Sequence, residues 1–277
     1  SIVDAVNIIK DEMGNVEVAV TDGTFIVDDA AAALRGYAED GFDLVIGHGS
    51  QYGGSLQEIA PDFPDITFAW GTAADTFGLD NVFAYEAASD EGGYVMGVMS
   101  AALSESGTVG VVGPIEVGDA KLYVDGFAAG VMAQDPGATV NINYIGSFSD
   151  TALASEAAQA HAAQGAYVMS GTAQMVVGAV GVAKDEGILW FGTQADQASL
   201  APEIVVASQV YHWEVILREI ISKMEAGTIG GETFKVTLAN GGEVIEYNDA
   251  FDLPADVKQL AEDTIAGIID GSITTGG

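Results

Sequence analysis

The sequence has no cysteine in 277 residues. That excludes disulfides, thiolate metal sites and a cysteine nucleophile, and it leaves the redox compartment unreadable. Positive charge is almost as scarce: Lys+Arg number 8 against 41 Asp+Glu, a formal net charge of −33. Eight scattered cations cannot build the basic surface that phosphate backbones or anionic lipid require, so nucleic acid and lipid-surface docking are excluded as partners. The same imbalance implies strong self-repulsion at low salt and predicts a source in saline water, where screening over roughly 8 Å or less offsets it. Only 6 prolines occur, and no Pro- or Ser-rich linker divides the chain. No apolar run approaches the ~20 residues that span a bilayer. There is no signal-like leader, and the chain starts at Ser1 rather than Met, so a processed or cut N-terminus is expected.

Catalytic signatures are missing too. There is no phosphate-cradling GxxxxGK[ST] and no GxSxG nucleophile elbow. His48, His161 and His212 stand far apart, without metal-ligand spacing. His161, on an Ala-rich helix, is expected at the surface. No pair of carboxylates stands out from the acidic background. The expectation is a protein that is not an enzyme and carries neither cofactor nor metal.

What is present is a folded α/β pattern. Hydrophobic residues make up 49% of the sequence. Ile2, Val6, Ile9 and Met13 share one helical face, and Gly14-Asn15 ends that helix. Val16 to Val20 alternates as a strand. Asp28 to Glu39 reads as a helix, Leu44-Val45-Ile46 as an apolar strand, and Thr67 to Trp70 and Val82 to Tyr85 as further strands. Beyond Glu91 the alternation continues: helices over 91–104, 121–133, 151–164, 174–185, 213–225 and 254–269, and strands at 109–112, 140–145, 167–169, 188–191 and 204–208. Lys235 to Asn248 reads as a polar hairpin turning at Asn240-Gly241-Gly242.

Strict alternation with apolar strands means parallel sheets covered by helices. The fold class is therefore α/β, as two Rossmann-like doubly wound lobes. The expected lobes are residues 1–105 with 204–228 and residues 106–203 with 229–277, dividing near Gly107. The extended stretches Asn81 to Ser89 and Pro202 to Gln209 are expected crossovers. The chain opens with the helix that should follow a first, central strand. The N-terminal lobe is thus expected to lack its first strand, through removal, permutation or completion by another chain.

In such sheets ligands gather at the C-terminal ends of strands. Six strand-end segments share one character, a glycine flanked by hydroxyl, amide or aromatic groups: 47–52, 70–72, 113–116, 146–149, 170–172 and 192–196. A glycine admits backbone close to a ligand, and the flanking groups suit a neutral, planar, polar molecule. The candidate ligand residues in these segments are His48, Ser50, Trp70, Phe148, Gly171, Thr172, Gln194 and Asp196. Trp70 and Phe148 are the candidate stacking platforms.

Several segments resemble one family. Phe42-Asp43-Leu44-Val45-Ile46-Gly47-His48-Gly49 is followed by Ile59-Ala60-Pro61-Asp62-Phe63-Pro64-Asp65. Then come Glu91 to Gly97, Tyr144 to Asp150, Gln164-Gly165-Ala166, Leu200-Ala201-Pro202 and Ser208 to Trp213. In order and spacing they resemble the basic membrane protein family of ABC-transporter substrate-binding proteins. The resemblance implies a type 1 periplasmic-binding fold with three crossovers and a ligand cleft between lobes. It implies a small-molecule ligand, best known as a purine nucleoside, a membrane permease as partner, and a monomer at the periplasmic or outer face of the cell membrane, lipid-anchored or free. It also implies a ligand-contacting loop that would lie before Ser1.

By the same resemblance, Phe148 matches an aromatic that stacks on the base, and Gly171 a loop glycine near it. Gln194 stands where nucleoside binders carry an acid for the ribose, Tyr211 where they carry a lysine, and Gly71-Thr72 where an aspartate is common. These departures leave a free nucleobase or another neutral solute as an alternative to a nucleoside. Gln194 and Asp196 remain suited to amide or imide edges. A ligand-sensing receptor subunit and a cell-surface assembly role are the other readings open to this fold.

Overall fold

The computed structural model describes residues 1–276. Two compact units emerge from the packing: Ser1–Ala87 with His212–Val236, and Ala88–Tyr211 with the chain from Thr237 onward. The chain therefore crosses between units three times, after Ala87, after Tyr211 and after Val236. The first crossing lies inside the expected Asn81–Ser89 stretch, and the second falls two residues beyond Gln209.

In the first unit α1 (Ile2–Met13) is capped by Ser1, whose side chain accepts from Asp4 N while the Asp4 carboxylate accepts from Ser1. Gly14 ends the helix in the left-handed region at φ 69°. After α2 (Val27–Glu39) come β1 (Leu44–His48), α3 (Gly53–Ile59), β2 (Thr67–Gly71) and β3 (Val82–Ala87). The sheet runs β1-β2-β3-β9, all parallel, with β9 formed by Thr233–Val236. Its core is Leu34, Val45, Leu56, Ile59, Phe68 and Val82. Helix α8 (Glu214–Glu225) packs on α1, where Arg218 donates two bonds to the Glu12 carboxylate at 2.7 and 2.9 Å.

Val16 to Val20, expected as a strand, forms no regular element and belongs to no ladder, and Val20 is 51% exposed. Alternation supplies a strand's pattern, but only a neighbouring strand supplies its hydrogen bonds.

In the second unit the sheet runs β10-β8-β7-β6-β4-β5. These strands are β4 (Thr108–Gly113), β5 (Thr139–Tyr144), β6 (Val168–Gly171), β7 (Leu189–Gln194), β8 (Val205–Tyr211) and β10 (Glu243–Tyr247). Every pairing is parallel except β10 with β8. Helices α4 (Ser89–Leu103), α5 (Gly118–Gln134), α6 (Thr151–Ala163), α7 (Val176–Glu186) and α9 (Ala255–Ile269) complete the unit.

The expected division near Gly107 differs from the observed one because of α4. Val95, Met96 and Met99 on α4 share one core cluster with Tyr123, Val124, Phe127 and Val131 on α5. Gly93 and Gly97 face Gly126 and Gly130 at such close range that a Cβ at any of the four would meet opposing backbone. Two helices joined this closely form one body, so α4 goes with the second unit.

Two other expectations are corrected. The 235–248 segment is not a hairpin: β9 belongs to the four-stranded sheet and β10 to the six-stranded one. The Asn240-Gly241 turn exists, with Asn240 Oδ1 accepting from Thr237 N and Gly242 N at 2.9 Å each, but it carries the chain between sheets. His161 is not at the surface: it is fully buried, its Nε2 3.2 Å from the Val111 carbonyl. It fits because residue 110 is glycine, leaving space beside the strand for the ring. Among the described residues, no helix is long and apolar enough to cross a membrane.

Candidate functional site

In the first unit, the strand register builds a small aromatic cluster. His48 pairs with Gly71, and Gly71 with Tyr85, so three adjacent strands place these residues side by side. Gly71 has no side chain to separate its neighbours, and His48 Nδ1 reaches Tyr85 Oη at 3.0 Å. Trp213 meets both rings edge-on, with centroids 5.1 Å from His48 and 5.4 Å from Tyr85. Burial pushes the His48 imidazole down to about 4, so it is neutral at pH 7 and offers one donor and one acceptor.

Trp70 has a different setting. Its ring stacks on Phe77 at 4.9 Å and 16°, and Nε1 donates to the Gly49 carbonyl at 3.0 Å. A Cβ on Gly53 would collide with the indole, so this ring also packs closely on α3. Ser50 opens a short helical turn, Ser50–Tyr52, and is partly buried.

In the second unit, β6, β7 and β8 end at Gly171, Gln194 and Tyr211. Gly171 lies against β4, where a Cβ would stand 2.7 Å from the Val112 carbonyl oxygen, and its own carbonyl accepts from Thr193 Oγ1 at 2.9 Å. Thr172 is buried. Phe148, partly buried, lies in the loop after β5, and its carbonyl accepts from Met175 N at 3.0 Å, which ties that loop to the one after β6. Tyr211 is buried and donates from Oη to Ser89 Oγ at 2.9 Å. Burial holds its phenol well above the ordinary value. Asp196 is exposed, and its Oδ1 accepts from Ala198 N at 2.9 Å, opening the short helical turn Ala198–Leu200.

Backbone strain marks the same strand ends. The non-glycine residues with positive φ are Thr72 (63°), Phe77 (55°), Ala173 (75°) and Gln194 (69°) among the described residues. Thr72 follows β2 directly, Ala173 lies two past β6, and Gln194 ends β7. Each such residue costs of order 1–3 kcal/mol and persists where the surroundings over-determine it, as ligand loops do. The sequence carries no signal for Thr72 or Ala173, since φ is set by the loop that closes around them. Tyr85 and Trp213 were legible only as a strand residue and a helix-start aromatic; their meeting with His48 depends on register.

Sheets that are wholly parallel in the first unit and parallel but for β10 in the second, with ligand-type groups at their strand ends, give the chain the type 1 periplasmic-binding fold. A solved ABC-transporter solute-binding protein from Aeropyrum pernix superposes with a TM-score of 0.83 at 20% identity, over 98% of this chain and 86% of that one. The chain belongs to the Bmp family, ABC transporter substrate-binding proteins that are PnrA-like, whose profile matches residues 1–272. A purine-binding protein of Brucella abortus is 28% identical over 88% of this chain and 69% of its own length. The transcriptional activator protein med of Bacillus subtilis is 26% identical over 78% of this chain and 67% of its own.

Proposed function

We propose that this protein is the capture subunit of an ABC importer and that its solute is a purine, as nucleoside or free base. The observation that carries the reading is the set of strand ends in the second unit. Phe148 offers an aromatic face, Gln194 an amide in a strained left-handed conformation, and Thr172 a hydroxyl, with no cation among them. Such a set recognises a neutral, flat, hydrogen-bonding molecule rather than a phosphate. The purine-binding relative supports the same class.

His48, Ser50 and Trp70 are the proposed contacts from the first unit. Gly171, Asp196 and Tyr211 complete the set in the second. Solute capture by closure of two lobes, delivery to a membrane permease, action as a monomer and a place at the outer face of the cell membrane, anchored by lipid or free, belong to this reading. No bond is made or broken in it.

The test is thermal unfolding in salt against purine nucleosides, free purines and pyrimidines. Ligand at about 100 times its dissociation constant adds roughly 2.7 kcal/mol. A shift with bases and not nucleosides assigns Gln194 and Tyr211 to a site without ribose contacts. A shift with nucleosides assigns ribose recognition to this chain's own residues. Silence across the panel rejects the purine reading.

A second reading, a ligand-sensing subunit, is favoured by the relative named as a transcriptional activator. Co-purification with a permease rather than with a signalling protein decides between them.

A further inference from the structure

Glu243, the first residue of β10, is 1% exposed. Its Oε1 accepts from Gly92 N at 2.7 Å and from Gln209 Nε2 at 2.5 Å. Its Oε2 is buried with no hydrogen-bond partner, and so is the Oε1 of Gln209. No cation pairs with it among the described residues. The groups that face it are acids and phenols: Glu91 and Asp90 from α4, and Tyr123 and Tyr211 from α5 and β8, with Asp119 beyond Tyr211.

The bonds around it reach every place where the chain enters or leaves the second unit. Gln209 Nε2 also donates to the Ser89 carbonyl at 3.1 Å, and Tyr211 Oη to Ser89 Oγ at 2.9 Å. Leu238 N donates to Glu91 Oε2 at 2.8 Å. Ser89 to Gly92 follow the first crossing, Gln209 and Tyr211 precede the second, and Leu238 and Glu243 follow the third.

We propose that Glu243 holds a proton at neutral pH, and that the neutral acid ties the roots of the three crossings together so that raising the pH loosens them as a set. An ionised carboxylate, fully buried, unpaired and beside two acids, is strongly disfavoured. A proton on Oε2 leaves Oε1 as the carbonyl that accepts two donors, and supplies a donor where two buried acceptors have none. Burial holds this carboxyl well above the ordinary range; the Gln209 and Gly92 bonds oppose the shift, and Glu91 and Asp90 reinforce it. Folded chains that keep a proton the unfolded chain has lost become less stable as pH rises.

The test is amide hydrogen exchange on the full chain and on Glu243→Gln from pH 6 to 9, corrected for intrinsic rates. In the wild type, protection over residues 88–92, 209–211 and 237–243 falls by up to about tenfold per pH unit until the folded-state midpoint is passed and levels off above it, the signature of one proton. In the variant, which keeps the neutral shape, it stays flat. Equal pH dependence in both overturns the proposal. Infrared spectroscopy of the wild type alone covers a variant that fails to fold. A protonated carboxyl stretch at pH 7 is expected, and its absence overturns the proposal.

Discussion

Gly110 and His161 are packed so closely that a Cβ at residue 110 would stand 2.7 Å from the imidazole Cγ. The ring is fully enclosed, and burial lowers its pKa, so it lies neutral beside its strand. Gly110→Ala is expected to destabilise the second unit by about 1–3 kcal/mol, the range for overpacking a filled core. Urea unfolding measures it; a change below about 0.5 kcal/mol would show that α6 yields freely.

His48 has a depressed value, about 4 against the ordinary 6.5, caused by burial. The folded state therefore binds fewer protons than the unfolded chain between those values, and stability rises with pH there. The contribution is complete above about 6.5 and is lost as pH falls toward 4. An NMR titration of the His48 ring should show a midpoint near 4. His48→Gln should flatten the acid-side slope of stability. A midpoint at the ordinary value would contradict the burial argument.

Thr72 and Gln194 have left-handed backbones at φ 63° and 69°. Glycine adopts this region without strain. Thr72→Gly and Gln194→Gly are each expected to raise stability by about 1 kcal/mol. Gln194→Gly should at the same time weaken purine binding, the trade expected where strain serves a ligand loop. Denaturation and calorimetric titration on the same samples read both effects; loss of stability in both variants would remove the strain argument.

Phe148 is partly buried and anchored through its carbonyl to Met175 N. If its ring stacks on a base, Phe148→Ala should weaken binding by roughly 1–3 kcal/mol. The melting temperature without ligand should change little, because the anchoring bond is made by backbone. Unchanged affinity would place the stacking surface elsewhere.

With a net charge of −33, the melting temperature should climb as salt is raised from low concentration to about 1 M, where the Debye length shrinks to roughly 3 Å. A flat or falling curve would show that the acids are spaced widely enough for repulsion not to matter.

Much of this architecture was legible in the sequence because it rests on local rules. The helix Ile2–Met13 follows from its apolar spacing and Gly14. The parallel strands follow from short apolar runs such as Leu44-Val45-Ile46, which a strand covered on both faces requires. The strand-end positions of His48, Gly171 and Gln194 follow directly once those strands are placed.

Other features depended on who meets whom. Val16 to Val20 has a strand's alternation and no ladder partner. Trp70 stacks on Phe77, a loop residue that no periodicity pairs with it. The paired glycines of α4 and α5 were visible as Gly93-x-x-x-Gly97 and Gly126-x-x-x-Gly130, but the spacing does not say which helix each faces. Periodicity and turn chemistry are properties of neighbours in the chain, so the sequence by itself determined the α/β alternation and the chemical character of the strand ends. Register, burial and hydrogen-bond satisfaction belong to residues far apart in the chain. Only the tertiary structure could place Glu243 against Gly92 and Gln209, enclose His161, and divide the chain after Ala87.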